Sequence, residues 1–428
     1  MTGVNPLPEP RHTQVNLPQE PGFLGARYVV DTLRRAGHES WIVGGAVRDM
    51  VMGLSPEEFD IATSATPEAV MKLFRRTVPV GVRFGVVRVL ERNQEYEVAT
   101  FRADGGYSDG RRPDAVRFTN LEEDVSRRDF TMNGLALDPG TGDVTDLVGG
   151  LADIASGTIR AIGDAALRFG EDHLRPLRAL RFAAQTGFEV EEATLVAVRA
   201  GAGEIGSVSV ERIRDELEKI LNSRRPGRGL RLARDTGVLR EVLPELAGTD
   251  EATAADDILD ALVGSSVDTL WSALFRPLGP TGAAAAMDRL HHSRRMAQAV
   301  EGILESTVAI RTLPQEDEAA EKRTLRSPWA KAGLAVEEAR LRVTGDDRAC
   351  IVYASGKLSE WTPSDLFPDR LVTGEDALEA GILGGPAVGD ALTAVEDEQL
   401  RGNIRSREQA LAFLANLRQV ENDAVSDD

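Results

Sequence analysis

The sequence predicts a mixed α/β head with a short β-sheet, followed by a mainly α-helical neck, body and tail. Three observations carry that prediction. β-rich runs and turn signals are confined to residues 23–155, and helical periodicity takes over beyond Thr158 to Ile162. Ala, Leu, Arg and Glu are plentiful while aromatics make up only 5%, a composition that favours helix. A chain of 428 residues with 42% hydrophobic content has room for two to four packed domains.

Residues 1–22 hold several prolines and little apolar content, so they are expected to form a disordered leader. The head, residues 23–155, opens with a helix over Leu24 to Gly37. It continues through the strand-like runs WIV at 41–43, FGVVRVLE at 84–91 and YEVATFR at 96–102. Thr66 before Pro67 has the form of a helix N-cap with proline at the first helical position. A neck over 156–230 contains LRPLRALRFAAQ and SVERIRDELEKIL, with Ser209 as a cap and Glu211 to Leu221 helical. A helical body over 231–350 and a tail over 351–420 follow, ending in a disordered acidic stretch, 421–428. Between body helices, the charged run from Pro314 to Pro328 has the composition of an exposed linker or a helix-to-helix excursion. No internal repeat is evident.

The net charge of −19 argues against a uniformly basic surface, but nucleic-acid binding depends on where arginines cluster rather than on their sum. The single cysteine, Cys350, excludes an intrachain disulfide framework and a cysteine-rich zinc site, and suits a reducing cytoplasm. No run of about 18 apolar residues occurs, and the start lacks a signal-peptide core, so a cytoplasmic protein without a membrane partner is expected. His291 and His292 lack partner spacing for zinc.

Chemistry concentrates in four segments. In GGAVRD, Gly44 and Gly45 follow a strand-like run and precede a helix-like one, so their N–H groups can approach a triphosphate closely, with Arg48 as a fixed charge. In EEFDIAT, Glu58 and Asp60 flank one residue and in an extended chain face the same side, where paired carboxylates can bridge two Mg2+ ions. Glu97 is the candidate third carboxylate on a neighbouring strand, with Glu91 and Glu95 close by. In RRDFTMN, Arg127 and Arg128 offer guanidinium forks to phosphates, while Asp129 and Asn133 suit ribose hydroxyls. In FGEDHLRPLR, an aspartate can accept from the amino group that cytosine and adenine share, and an arginine can donate to their ring nitrogen. Uracil and guanine present the reversed pair.

On these segments the chain resembles the nucleotidyltransferase superfamily, and more closely the class II tRNA nucleotidyltransferases and poly(A) polymerases. Glu171, Asp172 and Arg175 match the family's ED-x-x-R motif, which implies nucleotide selection by a protein template. ADGGYSDGRRPDAVRF, residues 103–118, is similar to the family's flexible loop, with Asp109, Arg111, Arg112 and Asp114 as its switching contacts. The resemblance implies template-independent addition of CCA to tRNA 3′ ends from CTP and ATP, with two Mg2+ ions at Glu58 and Asp60. CC-only or A-only addition, a poly(A) polymerase, and a catalytically impaired RNA-binding protein are the alternatives. One letter departs from the family's usual Asp-x-Asp: its first member here is Glu58, whose extra methylene implies slow or altered catalysis. Arg224, Arg225, Arg228, Arg231, Arg234 and Arg240, set against the single acid Asp235, point to RNA phosphates. The tail resembles a C-terminal module that, by analogy with the family, contacts the elbow of tRNA.

Overall fold

The computed structural model describes residues 11–107, 110, 113, 115–247 and 252–426. They fall into two compact units, Met1–Ala247 and Gly248–Asp428. The first begins with β1 (Arg11–Gln14), α1 (Pro21–Arg35), β2 (Ser40–Val43), α2 (Gly45–Val51), β3 (Asp60–Thr63) and α3 (Pro67–Leu73). Next come β4 (Thr77–Gly81), β5 (Val86–Glu91), β6 (Gln94–Thr100), β7 (Arg102–Asp104), β8 (Val116–Phe118) and α4 (Leu121–Ser126). The head closes with β9 (Leu135–Leu137), β10 (Asp143–Asp146) and α5 (Gly150–Ser156). Eight of these strands form one mixed sheet in the order β1-β10-β9-β2-β3-β6-β5-β4.

Period-two alternation in the central strands builds a core on each face of that sheet. Ile42 and Ile61 join Phe23, Val29, Val30 and Leu33 of α1 on one side. Their neighbours Val43 and Ala62 join Phe101, Val125 and Ala136 on the other. β2 runs antiparallel to β3, with Val43 opposite Asp60, and β3 runs parallel to β6, with Ile61 beside Val98. Thr66 caps α3 by accepting the Ala69 N–H at 3.4 Å, with Pro67 at the first helical position.

The expected leader is corrected for its second half. Residues 1–10 lie outside the described residues, but β1 pairs antiparallel with β10, Arg11 opposite Asp146 through Gln14 opposite Asp143. Val15 and Leu17 pack on the head core, and α1 starts at Pro21, ahead of the expected Leu24. Backbone pairing with an open sheet edge orders a segment that has little apolar content of its own.

After β11 (Thr158–Ile159) come α6 (Ala165–Glu171), α7 (Arg175–Thr186), β12 (Glu189–Val190), α8 (Glu192–Gly201), α9 (Val210–Leu221), α10 (Pro226–Asp235) and α11 (Val238–Val242). The expected neck-body boundary at 230/231 falls inside α10, and the first unit ends only at Ala247. Ser209 stands at the N-cap of α9 but makes no side-chain capping bond.

The second unit comprises α12 (Ala252–Ala261), α13 (Val267–Phe275), α14 (Gly279–Arg289), α15 (Arg294–Thr312), α16 (Glu318–Leu325), α17 (Ala330–Thr344) and α18 (Ala349–Glu360). It ends with α19 (Pro363–Leu366), α20 (Gly374–Glu379), α21 (Pro386–Leu400) and α22 (Arg407–Ser426). The run expected as a linker contains α16, capped by Asp317, whose side chain accepts the Ala319 and Ala320 N–H groups. Its charges face neighbours: Arg323 reaches Asp397 at 2.6 Å and Arg326 reaches Glu396 at 2.9 Å. α18 packs against the body helices, and the tail has its own core around Val372, Ile382, Val395 and Leu414. α22 continues to Ser426, past the expected end of order at 420.

Gly150 lets α5 approach the RRDFT segment, because a Cβ there would stand 2.2 Å from the Thr131 carbonyl oxygen. Gly150→Ala is expected to lower stability by about 1–3 kcal/mol through backbone displacement. Thermal unfolding should show a lower melting temperature, and an unchanged value would contradict the close approach.

Candidate active site

A recess of about 670 Å3 opens where β2, β3, the RRDFT segment and α7 converge. Gly44 turns the chain out of β2 with φ +79°, a conformation natural to glycine, and α2 starts at the next residue. A Cβ on Gly44 would stand 3.6 Å from Arg128 Nη1 and 3.7 Å from Asp60 Oδ2, so the backbone there touches a cation and a carboxylate at once. Glu58 and Asp60 lie exposed on either side of buried Phe59, which packs edge-on against Phe23 at 5.8 Å. Both carboxylates line the recess, although β3 begins only at Asp60 and Glu58 precedes the strand.

Asp60, Glu58 and Glu57 all line this recess, and Glu57 is an addition to the expected set. The β3-β6 register puts Glu97 one residue before Val98 just as Asp60 is one residue before Ile61. Glu97 faces Asp60 electrostatically but does not line the recess. Seating in the recess, together with the charges of Glu97 and Glu58 and against that of Arg128, pushes the Asp60 carboxyl up to about 6. The oxygen donors of Glu58 and Asp60 suit a hard divalent cation. Among the described residues no set of three His, Cys, Asp or Glu side chains stands at metal-binding spacing.

The second wall is RRDFT. Fully buried Asp124 accepts from Arg127 Nη2 at 2.6 Å and Arg128 Nη2 at 3.0 Å, Arg127 Nε donates to the Arg102 carbonyl at 3.0 Å, and both arginines line the recess. Asp129 accepts the Phe130 N–H at 2.8 Å and Asn133 Nδ2 at 3.2 Å on one oxygen, and Arg178 Nε and Nη2 at 2.9 and 2.6 Å on the other. Burial opposes its ionisation, but Arg178 overrides that and holds the carboxyl well below the usual carboxylate range. Arg48 is not a spare charge: it donates to Asp49 at 2.7 Å and to Asn133 Oδ1 at 2.9 Å, tying α2 to the RRDFT segment.

The third wall is helical. Asp172 ends α6 in an extended conformation and faces the recess, where Arg212 of α9 donates to both of its oxygens at 2.9 and 3.1 Å. Arg175 Nη1 donates to the Arg168 carbonyl at 2.6 Å and to Glu171 at 2.7 Å, and Nη2 donates to the Arg127 carbonyl at 3.0 Å. Glu171 does not line the recess; it braces Arg175 and Arg168. Pro176 lies in the first turn of α7, where no intrahelical N–H bond is lost.

Beyond the expected Arg175, the recess is also lined by Arg178, Arg181 and Phe182. They recur at i+3, i+6 and i+7 on one helix face, and that spacing was the available signal. Arg181 stacks on Phe182 at 4.1 Å and reaches Glu216 at 3.0 Å. Burial and the nearby Arg178 charge push it down to about 10, so it remains a cation at neutral pH. Lys219 and Gln185 also line this recess.

An adjoining cavity of about 500 Å3 shares Glu57, Glu58 and Asp60 with the first and extends past Gln185 and Asn222 to Arg224. Of the expected RNA-facing arginines, Arg224, Arg225 and Arg231 are exposed and Arg234 is half-buried. Arg228 is engaged by the Phe188 carbonyl at 3.0 Å and by Glu189. The loop contacts Asp109, Arg111, Arg112 and Asp114 lie outside the described residues.

The family described as Poly A polymerase head domain matches residues 40–160, and the one described as probable RNA and SrmB-binding site of polymerase A matches 187–249. A CCA-adding enzyme of Lactiplantibacillus plantarum is 34% identical over 403 residues, covering 94% of this chain and 97% of its own. One from Geobacillus stearothermophilus is 33% identical, with 92% and 96% covered. The crystal structure of the Bacillus stearothermophilus CCA-adding enzyme in complex with CTP superposes with a TM-score of 0.78 at 30% identity, over 95% of this chain and all of its own. The Thermotoga maritima CCA-adding enzyme complexed with tRNA shares the fold at a TM-score of 0.66 and 20% identity, over 95% and 99%.

Asp129 contributes stability only while ionised. That contribution is complete above the unfolded carboxyl value of about 3.9 and is lost as pH falls toward the depressed folded value. Asp129→Asn is therefore expected to cost about 3 kcal/mol at pH 7, with a smaller deficit at pH 3. Denaturant unfolding of both proteins at the two pH values measures it, and a deficit independent of pH would contradict the assignment.

Proposed function

We infer the chemistry from one premise: this chain belongs to the family of CCA-adding enzymes, nucleotidyltransferases that carry a poly(A) polymerase head. It adds CCA to the 3′ end of tRNA from CTP and ATP, without a nucleic-acid template. The observation that carries this reading is that Asp60, the Arg127 and Arg128 pair, and Asp172 with Arg175 all line one recess. Carboxylates for the reacting end, cations for the triphosphate and a base-reading pair face one shared recess. Similarity over nearly the whole chain to enzymes named for CCA addition supports it against a poly(A) polymerase or a partial CC or A enzyme.

The roles follow from position. Gly44 and Gly45 bring backbone to the phosphates, and Arg127 and Arg128 hold them against the Asp60 side. Asp172 accepts the amino group of cytosine or adenine, and Arg175, braced by Glu171 and the Arg127 carbonyl, donates to the ring nitrogen. The 3′-hydroxyl of tRNA approaches Glu58 and Asp60 and attacks the α-phosphate, releasing pyrophosphate. Glu58 and Asp60, with Glu97 beside them, would hold Mg2+, which when bound supplies Lewis-acid activation of the hydroxyl and charge stabilisation for the leaving group. Arg224, Arg225 and Arg231 present the basic surface for the RNA backbone, and the tail module takes the tRNA elbow.

The test uses Mg2+ with tRNAs ending before the CCA, at CC, or complete, supplied with CTP, ATP or both, and products resolved at single-nucleotide length. Stepwise completion to CCA is expected. Long A tails would contradict the reading, and tRNA binding without incorporation would favour a binding protein. Asp60→Asn should lower incorporation at least about a hundredfold, and chelation of Mg2+ should abolish it. Glu58→Asp should raise the rate, by up to about a hundredfold if the longer side chain misplaces the cation; an unchanged rate would dismiss that concern.

A further inference from the structure

We propose that Arg212 is a positioning residue that sets which bases the site accepts, acting through the carboxylate of Asp172. This rests on the reading of Asp172 as the acceptor for the base amino group. Asp172 sits in the break between α6 and α7 at φ −139° and ψ 107°, so neither helix fixes its side chain. One local bond, from the Leu174 N–H to Oδ1 at 3.1 Å, leaves the carboxylate free to swing. The restraint comes from α9: Arg212 Nη2 donates to Oδ2 at 2.9 Å and to Oδ1 at 3.1 Å. Both side chains are three-quarters or more covered, where a charge-assisted bond is little screened.

Two further observations separate this pair from an ordinary brace. Arg212 does not line the recess, so it reaches a nucleotide only through Asp172. Its Nη1 is buried without a hydrogen-bond partner among the described residues, so the fixed contacts of its terminal nitrogens go to Asp172. The adjacent His173 is held from the same side, its Nδ1 at 2.8 Å from Ser207 Oγ just ahead of α9. The α6-α7 break is therefore aimed by α9. With its oxygens fixed, Asp172 presents one acceptor direction to the exocyclic group, which suits an amino group and repels the carbonyl of U or G. A swinging carboxylate can turn away from that carbonyl, and the penalty against the wrong base disappears.

The experiment measures kcat/KM for each of the four nucleoside triphosphates on tRNA ending before the CCA and on tRNA ending in CC. Wild type, Arg212→Gln, Arg212→Lys, Asp172→Ala and the Asp172→Ala/Arg212→Gln double variant are compared. Arg212→Gln is expected to reduce the preferences for C over U and A over G about tenfold or more. Most of the change should fall in KM, with Arg212→Lys restoring part of it. Undiminished preferences, or an equal loss for all four nucleotides, would overturn the proposal. So would a further loss of preference when Arg212→Gln is added to Asp172→Ala. Intact preferences in Asp172→Ala would instead sink the base reading itself, whereas loss there with retention in Arg212→Gln would sink only the role of Arg212. If Arg212→Gln does not fold, Arg212→Lys carries the same comparison.

Discussion

The recess depends on one buried carboxylate. Asp129 belongs to the RRDFT segment of the head, yet one of its oxygens is taken entirely by Arg178 of α7. The other organises its own turn through Phe130 and Asn133, and Asn133 in turn receives Arg48 of α2. A single ionised group therefore joins the glycine turn, the arginine pair and α7, the helix that begins with Arg175. Satisfied buried networks of this kind hold a geometry firmly because breaking any member strands a charge in a poorly solvated place.

The same logic explains how a chain of net charge −19 keeps a cationic pocket. Every arginine around the recess is anchored by a carboxylate or carbonyl behind it: Arg127 and Arg128 by Asp124, Arg175 by Glu171, Arg178 by Asp129, and Arg181 by Glu216. Anchoring aims each guanidinium and lowers the entropy lost when a phosphate or base arrives. Arg48, Arg178 and Arg181 also crowd the ring of Phe182, at 5.3, 5.6 and 4.1 Å, a further attraction that packs cations side by side. Opposite them stand Glu57, Glu58 and Asp60, so the two sides of the recess are unlike in charge before any ligand enters.

The parts of this arrangement that were legible in the sequence are local. The glycine turn, the carboxylates around Phe59, the Thr66 cap and the RRDFT and ED-x-x-R segments each carry their meaning within a few residues. What escaped depends on distant partners. Arg48 lines the recess as expected, but its bond to Asn133 spans 85 positions, and Glu171, expected at the nucleotide, faces Arg168 and Arg175. Edge pairing with β10 ordered Arg11–Gln14, which has no apolar pattern of its own, and α16 read as a linker because its charges meet Glu396 and Asp397 rather than water.

The account's central claim is that the wall formed by Asp172 and Arg175 reads the base before any RNA is present. Calorimetric titration of CTP, ATP, UTP and GTP into the protein with Mg2+ and without tRNA tests this most directly. CTP and ATP are expected to bind with similar affinity, and UTP and GTP at least about tenfold more weakly. Equal affinity for all four would contradict the claim.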